Sequence, residues 1–279
     1  MSLNLTLKDF PICVCGAKNY DIVLDFTKDN RSGQIIRCKR CGLSRTWPVP
    51  LTDQNIDEFY KSQEDYHDRS SQLDLWRSFG RRILKILKKY KISGTLLDVG
   101  CNIGIFVDLA KKNGYDAIGT DLSLKAVELG KKTFDLADRL FDDKLEDLNF
   151  SDNKFDVITY LHVLEHIPLL KQELRKVYRL LKPGGLFLIE VPNFNSFWRK
   201  LLRQRWYALS PKQHFWQFDS ASLKRLLKNH HFFVLNIDTR YNMYHHLSLS
   251  PLGLIKLVIS SLSYIFRQGD NLIVIAKKI

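Results

Sequence analysis

Long apolar runs are absent from this 279-residue chain. The most apolar late stretch, Leu247–Phe266, is broken by Pro251, Gly253, Lys256 and five serines, which makes a poor transmembrane span. Met1–Phe10 has no apolar core, so no secretory signal is read there. Internal repeats and low-complexity tracts are also lacking, and the 45% apolar and 26% charged content is that of a globular protein. Disordered, collagen-like and membrane-channel classes are thereby excluded. Acidic residues are scarce in one region: residues 196–279 hold 13 basic groups and 3 acidic ones, against 13 and 16 over residues 96–195. The formal charge of +13 therefore sits mostly in the last third. Such a surface meets nucleic acid, anionic lipid or a phosphorylated substrate, or simply stays solvated. Cysteine is scarce too, with five residues, four of them within the first 41. A reducing, cytoplasmic setting is expected, and there paired cysteines read as metal ligands before disulfides.

What is present is a regular succession of elements. Cys13-Val14-Cys15-Gly16 and Cys38-Lys39-Arg40-Cys41-Gly42 bracket a hairpin, and Thr46–Thr52, with Pro48 and Pro50, reads as a linker. Residues 54–91 read as helical, with Leu75, Phe79, Ile83, Ile86 and Leu87 at helical spacing and Gly94 ending the helix. Strands then alternate with helices. The strands are Leu96–Val99, Ala117–Thr120, Phe155–Tyr160, Leu186–Val191, Phe232–Ile237 and Asn271–Lys277. The helices are Phe106–Lys112, Leu124–Lys132 capped by Ser123, one from Pro168 through Leu181, and one capped by Ser220 and running to Asn229. This order predicts an α/β fold, a mostly parallel sheet with helices on both faces.

The first of these strands runs into Asp98-Val99-Gly100-Cys101-Asn102-Ile103-Gly104, and Asp121 stands at the tip of the next. Glycines let the backbone approach a ligand, and a carboxylate at that tip can accept from two adjacent ribose hydroxyls. The spacing departs from G-x-G-x-x-G, which disfavours a dinucleotide and suits a nucleoside without pyrophosphate. The stretch resembles the first motif of the class I S-adenosylmethionine-dependent methyltransferases, with Asn102 where the middle glycine usually sits. Asn tolerates left-handed backbone angles better than most residues.

The resemblance extends through Glu146-Asp147-Leu148-Asn149-Phe150, Phe155 to Ile167, and Leu181-Lys182-Pro183-Gly184-Gly185, in the family's order over residues 95–195. It implies a Rossmann-like seven-stranded sheet with an antiparallel last strand, and methyl transfer from S-adenosylmethionine. It places cofactor contacts on Asp98, Gly100, Cys101, Gly104, Asp121, Leu122, Leu145, Glu146, Tyr160 and Leu161. An acid frequent in the family two residues before Glu146 is Lys144 here. Tyr60 and Tyr66 fall where relatives cover the cofactor.

His162 and His166 follow the strand Phe155–Tyr160, where the sulfonium would lie, and are four residues apart. Either is a candidate general base, since imidazole titrates near neutrality, and His214, among aromatic residues, is a third candidate that either packs or meets substrate. Metal use at His162, Glu165 and His166 is a weaker reading, because few oxygen ligands are in view. Cys13, Cys15, Cys38 and Cys41 suit a Cys₄ zinc ribbon, although Cys13-x-Cys15-Gly16 is one residue short of C-x-x-C-G. Such ribbons precede the methyltransferase domain in a bacterial subgroup acting on sugars and other small metabolites, which this chain resembles. The resulting organisation is a ribbon over residues 1–50, a helical linker and cofactor cover over 51–93, and a cofactor-binding domain over 94–279 with acceptor lids near 193–218 and 241–268.

Phe197 to Trp206 interleaves aromatic and basic residues. Its place after the strand Leu186–Val191 favours a lid helix, over contact with anionic membrane or RNA. The expected partner is a small, anionic acceptor, such as a nucleotide-linked or lipid-linked sugar, with peripheral membrane contact as a further expectation and nucleic acid disfavoured. Two rival readings are an RNA methyltransferase gripping its substrate with the ribbon and basic third, and a non-catalytic binding module with a degenerate site.

Overall fold

The computed structural model describes residues 11–49, 72–240 and 267–279. The expected lid near 241–268 falls largely outside the described residues, as do Tyr60, Tyr66 and the first part of the helix read over 54–91. Strands β1 (Tyr20–Lys28), β2 (Arg31–Cys38) and β3 (Ser44–Trp47) come first, followed by helix α1 (Leu73–Lys89). Strand β4 (Thr95–Val99), helix α2 (Ile105–Lys112), β5 (Asp116–Thr120), α3 (Leu124–Phe134), the two-residue β6 (Leu140–Phe141) and β7 (Phe155–Leu161) alternate after it. Then come α4 (Leu170–Leu180), β8 (Leu181–Pro192), α5 (Phe197–Leu202), β9 (Trp216–Gln217), α6 (Ser220–Asn229), β10 (Phe232–Arg240) and β11 (Asn271–Lys278).

Seven strands form one sheet in the order β10-β11-β8-β7-β4-β5-β6. Only β11 runs antiparallel, pairing with β8 on one side and β10 on the other. This is the seven-stranded sheet with an antiparallel last strand that the resemblance implies. Side-chain alternation along each strand divides the interior into two layers. Leu96, Val157, Leu186, Leu188, Ile273 and Ile275 face α1 and α2. Their neighbours Leu97, Ile158, Phe187, Ile189 and Val274 face α4 and α6.

Local chemistry sets the element ends. The Ser123 hydroxyl accepts from the Ala126 N–H and caps α3 as the sequence predicts. Helix α6 is capped instead by Asp219, whose carboxylate accepts from the Ser222 N–H while the Ser222 hydroxyl accepts from the Asp219 N–H. That reciprocal box outcompetes Ser220, which becomes the first helical residue. Helix α4 starts at Leu170, past Pro168. Helix α1 ends at Lys89, and Gly94, at φ 104°, leads into β4 instead.

The largest departure from expectation concerns the first 50 residues. Thr46 and Trp47 are not linker but the second half of β3. Strands β1, β2, β3 and β9 form a second, four-stranded sheet, so the ribbon is completed by residues 216–217. Leu24, Phe26 and Ile35 of the ribbon share one apolar core with Phe194, Trp198, Trp206 and Leu209. The Lys28 ammonium donates to the carbonyls of Trp206 and Leu209, and the Arg225 guanidinium donates to the Cys41 carbonyl at 2.6 Å. The segment read as a lid helix from Phe197 to Trp206 holds only the six helical residues of α5, then a single 3₁₀ turn, and is clamped beneath the ribbon. Trp206 is fully enclosed at this junction. Trp206→Ala is expected to destabilise the protein by about 3–5 kcal/mol, lowering the melting temperature by roughly 10 °C. A thermal melt within a degree or two of wild type would show that the junction contributes little.

Candidate active site

A cleft of about 960 Å³ opens at the carboxyl ends of β4, β5 and β7. Ligands of open α/β sheets bind at this edge. Gly100 leaves β4 at φ 72°, with its N–H donating to the Thr120 carbonyl at 2.7 Å. A Cβ there would stand 2.3 Å from Val163 Cγ2. Asn102 takes the left-handed angle (φ 54°) that the sequence anticipates for this position. Its side-chain Oδ1 accepts from the Ile103 N–H at 2.8 Å, and its own N–H donates to Asp121 Oδ2 at 2.7 Å. Asp121 Oδ1 accepts from the Ser123 N–H at 3.0 Å. These backbone bonds orient the Asp121 carboxylate at the edge of the cleft.

Six of the residues read as cofactor contacts line the cleft: Gly100, Asp121, Leu122, Leu145, Glu146 and Leu161. Four do not. Asp98 is buried, accepts from the Thr159 hydroxyl at 2.6 Å, and borders a small cavity under Trp76 and Phe79 of α1. Cys101 turns into the fold, its Sγ only 2.7 Å from where a Cβ on Gly119 would lie. Gly104 caps α2 at φ 77°, and a Cβ there would strike Leu140 at 2.9 Å, so its smallness serves helix packing. Tyr160 is fully buried beside Phe187, donates its hydroxyl to Glu173, and is kept protonated by burial. Replacing Gly100 by alanine strains a positive φ and crowds Val163, so Gly100→Ala is expected to lose at least about tenfold in nucleoside affinity. Unchanged binding in a calorimetric titration would mean that the loop is not a ligand cradle.

The three histidines converge on one wall. His162 sits at φ 61°, its N–H donating to the Glu190 carbonyl at 2.8 Å. Its Nδ1 lies 3.5 Å from Glu165 Oε1, and its Nε2 lies 3.3 Å from Asn271 Nδ2 and 3.8 Å from Glu190 Oε1. Glu190 is fully buried and held by Arg82 at 3.0 Å and by Asn271 at 3.1 Å. A carboxylate at the end of the otherwise apolar run Leu186–Val191 was the visible signal for this network, which sequence reasoning missed.

His166 and His214 pack edge to face, ring centroids 4.7 Å apart. Burial lowers the pKa of both, that of His214 to about 3, so both imidazoles are neutral at pH 7. Burial also pushes the Glu165 carboxyl up, but its hydrogen bond with His162 and the flanking imidazoles bring it net below its usual value. His214 thus both packs and faces the cleft. The ribbon holds it there: the Thr46 hydroxyl donates to the His214 carbonyl at 2.6 Å, and the Phe215 N–H donates to the Glu165 carbonyl at 2.9 Å.

A family model described as a methyltransferase domain matches residues 67–237, more than half of the chain. The chain belongs to the methyltransferase-domain family. An uncharacterised protein of Methanocaldococcus jannaschii is 31% identical over 150 residues, 51% of this chain and 63% of that protein. The ubiquinone biosynthesis O-methyltransferase of Coxiella burnetii is 25% identical over 161 residues, 53% of this chain and 67% of the relative. The match thus spans about two thirds of these relatives' own lengths. The crystal structure of a SAM-dependent methyltransferase from Archaeoglobus fulgidus shares the fold, with a TM-score of 0.54 at 23% identity, covering 72% of this chain and 94% of that one.

Beside this methyltransferase domain, the Sγ atoms of Cys13, Cys15, Cys38 and Cys41 all lie within 4.8 Å of one another. Cys13 and Cys41 are 3.5 Å apart and Cys15 and Cys38 are 3.6 Å apart. Four thiolates at about 2.3 Å around one tetrahedral zinc ion stand roughly 3.8 Å apart, so the set fits that ion. Gly16 (φ 85°) and Gly42 (φ 76°) make the tight turns after each pair. The shortened Cys13-x-Cys15 spacing is absorbed by a turn in which the Gly16 N–H donates to the Cys13 carbonyl at 2.8 Å. Among the described residues, no helix is long and apolar enough to cross a membrane.

Proposed function

We propose that this protein transfers a methyl group from S-adenosylmethionine to a small, anionic acceptor such as a nucleotide-linked or lipid-linked sugar, with a zinc ion in the Cys₄ ribbon and a cytoplasmic place of action. The observation that carries the reading is the cleft itself, in which Asp121 and the Gly100–Asn102 loop face a wall bearing His162, Glu165, His166 and His214. Bound S-adenosylmethionine supplies an activated methyl group on its sulfonium. Asp121 accepts the ribose hydroxyls, Gly100 leaves room for the methionine end, and Leu145 and Glu146 border the adenine. The chain's own part would be to hold the acceptor atom in line with that methyl group. His162 would take the proton released by the acceptor on Nε2, in place of its contact with Asn271, while Glu165 holds Nδ1.

The anionic acceptor rests on the basic excess of residues 196–279, since the cleft itself carries both signs, with Lys144 paired to Glu146 and Arg179 to Asp152. Lys144, Arg175, Lys176 and Arg179 line the cleft, the last three on one face of α4. The wall from Tyr207 to His214, braced by the ribbon, frames the acceptor end, and the ribbon's structural role there follows from the shared sheet.

The test is activity with labelled cofactor against pooled nucleotide sugars, lipid-linked sugars and RNA. Label is expected in a sugar pool, with His162→Gln lowering turnover by about 10²–10⁴ at unchanged cofactor affinity. Transfer to RNA alone, weakening steeply with salt, would replace the small-acceptor reading. Absence of any cofactor binding would leave a non-catalytic module.

A further inference from the structure

Three residues of the cleft wall form a ligating cluster separate from the cysteines. One carboxylate oxygen of Glu165 and one ring nitrogen from each of His166 and His214 lie within 4.8 Å of one another. Glu165 is 2% exposed and His214 8% exposed. Among the described residues, Glu165 Oε2 and His214 Nδ1 are both enclosed and have no hydrogen-bond partner. An enclosed polar atom without a partner costs about 1–3 kcal/mol, so two of them within one converging set of donors point to a ligand. Backbone carbonyls of Gln213 and Ala208 stand against the rings of His166 and His214 respectively. Metal-ligating imidazoles are typically fixed in this way, one nitrogen held by a carbonyl and the other turned to the ion.

We propose that Glu165, His166 and His214 bind a divalent transition-metal ion beside the methyl-transfer site. Two imidazoles and one carboxylate suit Zn²⁺, Fe²⁺ or Co²⁺, whereas Mg²⁺ and Ca²⁺ prefer all-oxygen sets. Donors at about 2.1 Å around a tetrahedral ion stand roughly 3.4 Å apart, and the three atoms, within 4.8 Å of one another, would draw together by side-chain rotation to hold it. All three line the cleft, so an ion they hold would border the acceptor's place. A hydroxyl bound there becomes more acidic, and its proton passes to His162 as described above. That role rests on the methyl-transfer reading, but the ion site itself does not.

The experiment is a Co²⁺ titration of protein whose ribbon cysteines already hold zinc, followed by visible absorption and elemental analysis. One further equivalent is expected, with d–d bands and no sulfur-to-cobalt charge transfer. His214→Gln and Glu165→Gln are each expected to weaken it by more than about tenfold, with the ribbon zinc retained. Failure of wild type to take up a second ion overturns the proposal. So does unchanged affinity in His214→Gln, which keeps a polar side chain and decides the matter if Glu165→Gln fails to fold. Cofactor titrations on the same samples separate the two readings: loss of the ion site with cofactor binding intact leaves methyl transfer standing.

Discussion

Asp121→Ala is expected to weaken binding of S-adenosylmethionine or its demethylated product by at least about a hundredfold. Hydrogen bonds to a charged group contribute about 1.5–3 kcal/mol each, and a ribose diol would make two with this carboxylate. The same oxygens hold the N–H groups of Asn102 and Ser123 at 2.7 and 3.0 Å. The substitution therefore also releases the loop that shapes the cleft and leaves two buried donors unpartnered. Asp121→Asn, which keeps one acceptor oxygen, should fall between the alanine variant and wild type. Calorimetry with the demethylated cofactor measures this without knowledge of the acceptor. Wild-type affinity in Asp121→Ala would remove the ribose assignment.

The second large effect is expected from the ribbon. Cys38→Ser deletes one of four converging thiols, and structural zinc contributes about 10–16 kcal/mol in isolated zinc fingers. The ribbon strands are then expected to lose order. Their sheet partner β9 and the Phe194–Leu209 segment would lose their cover with them, because they share its core. Hydrogen exchange should show residues 193–218 deprotected, with cofactor affinity changed only a few-fold, since Gly100, Asp121 and Leu145 lie on other elements. Full protection of 193–218 in Cys38→Ser would show that the ribbon does not support the acceptor wall.

Much of this architecture is legible in one dimension because its determinants are local. Apolar runs of strand length, glycines at strand ends and the Ser123 cap act over a few residues, and these mark β4, β5, β7, β8, β10 and β11 in order. Strands β6 and β9 escaped notice because two residues carry no periodicity, and each exists only as a ladder partner of a longer strand. The cap of α6 was misplaced by one residue because Asp219 and Ser220 are both good caps. Only the reciprocal bond to Ser222 decides between them.

The candidate site divides along the same line. Gly100, Asp121, Glu165 and His166 are readable because the strand tips place them, and a strand tip is a local event. Cys101, Gly104 and Tyr160 belong to the same motifs, yet they turn into the core, since alternation and helix packing decide which side of a loop faces the ligand.

The sequence by itself determined the fold class, the glycine loop with its acidic partner, and the paired cysteines, each a matter of short-range spacing. Only the tertiary structure decided that the ribbon shares a sheet with residues 216–217, and that His214 lands against His166. The physical reason is that the first depends on pairing of Ser44 and Arg45 with Gln217 and Trp216, and the second on the Thr46 hydroxyl bound to the His214 carbonyl 168 residues away, and such contacts leave no periodic trace in either segment.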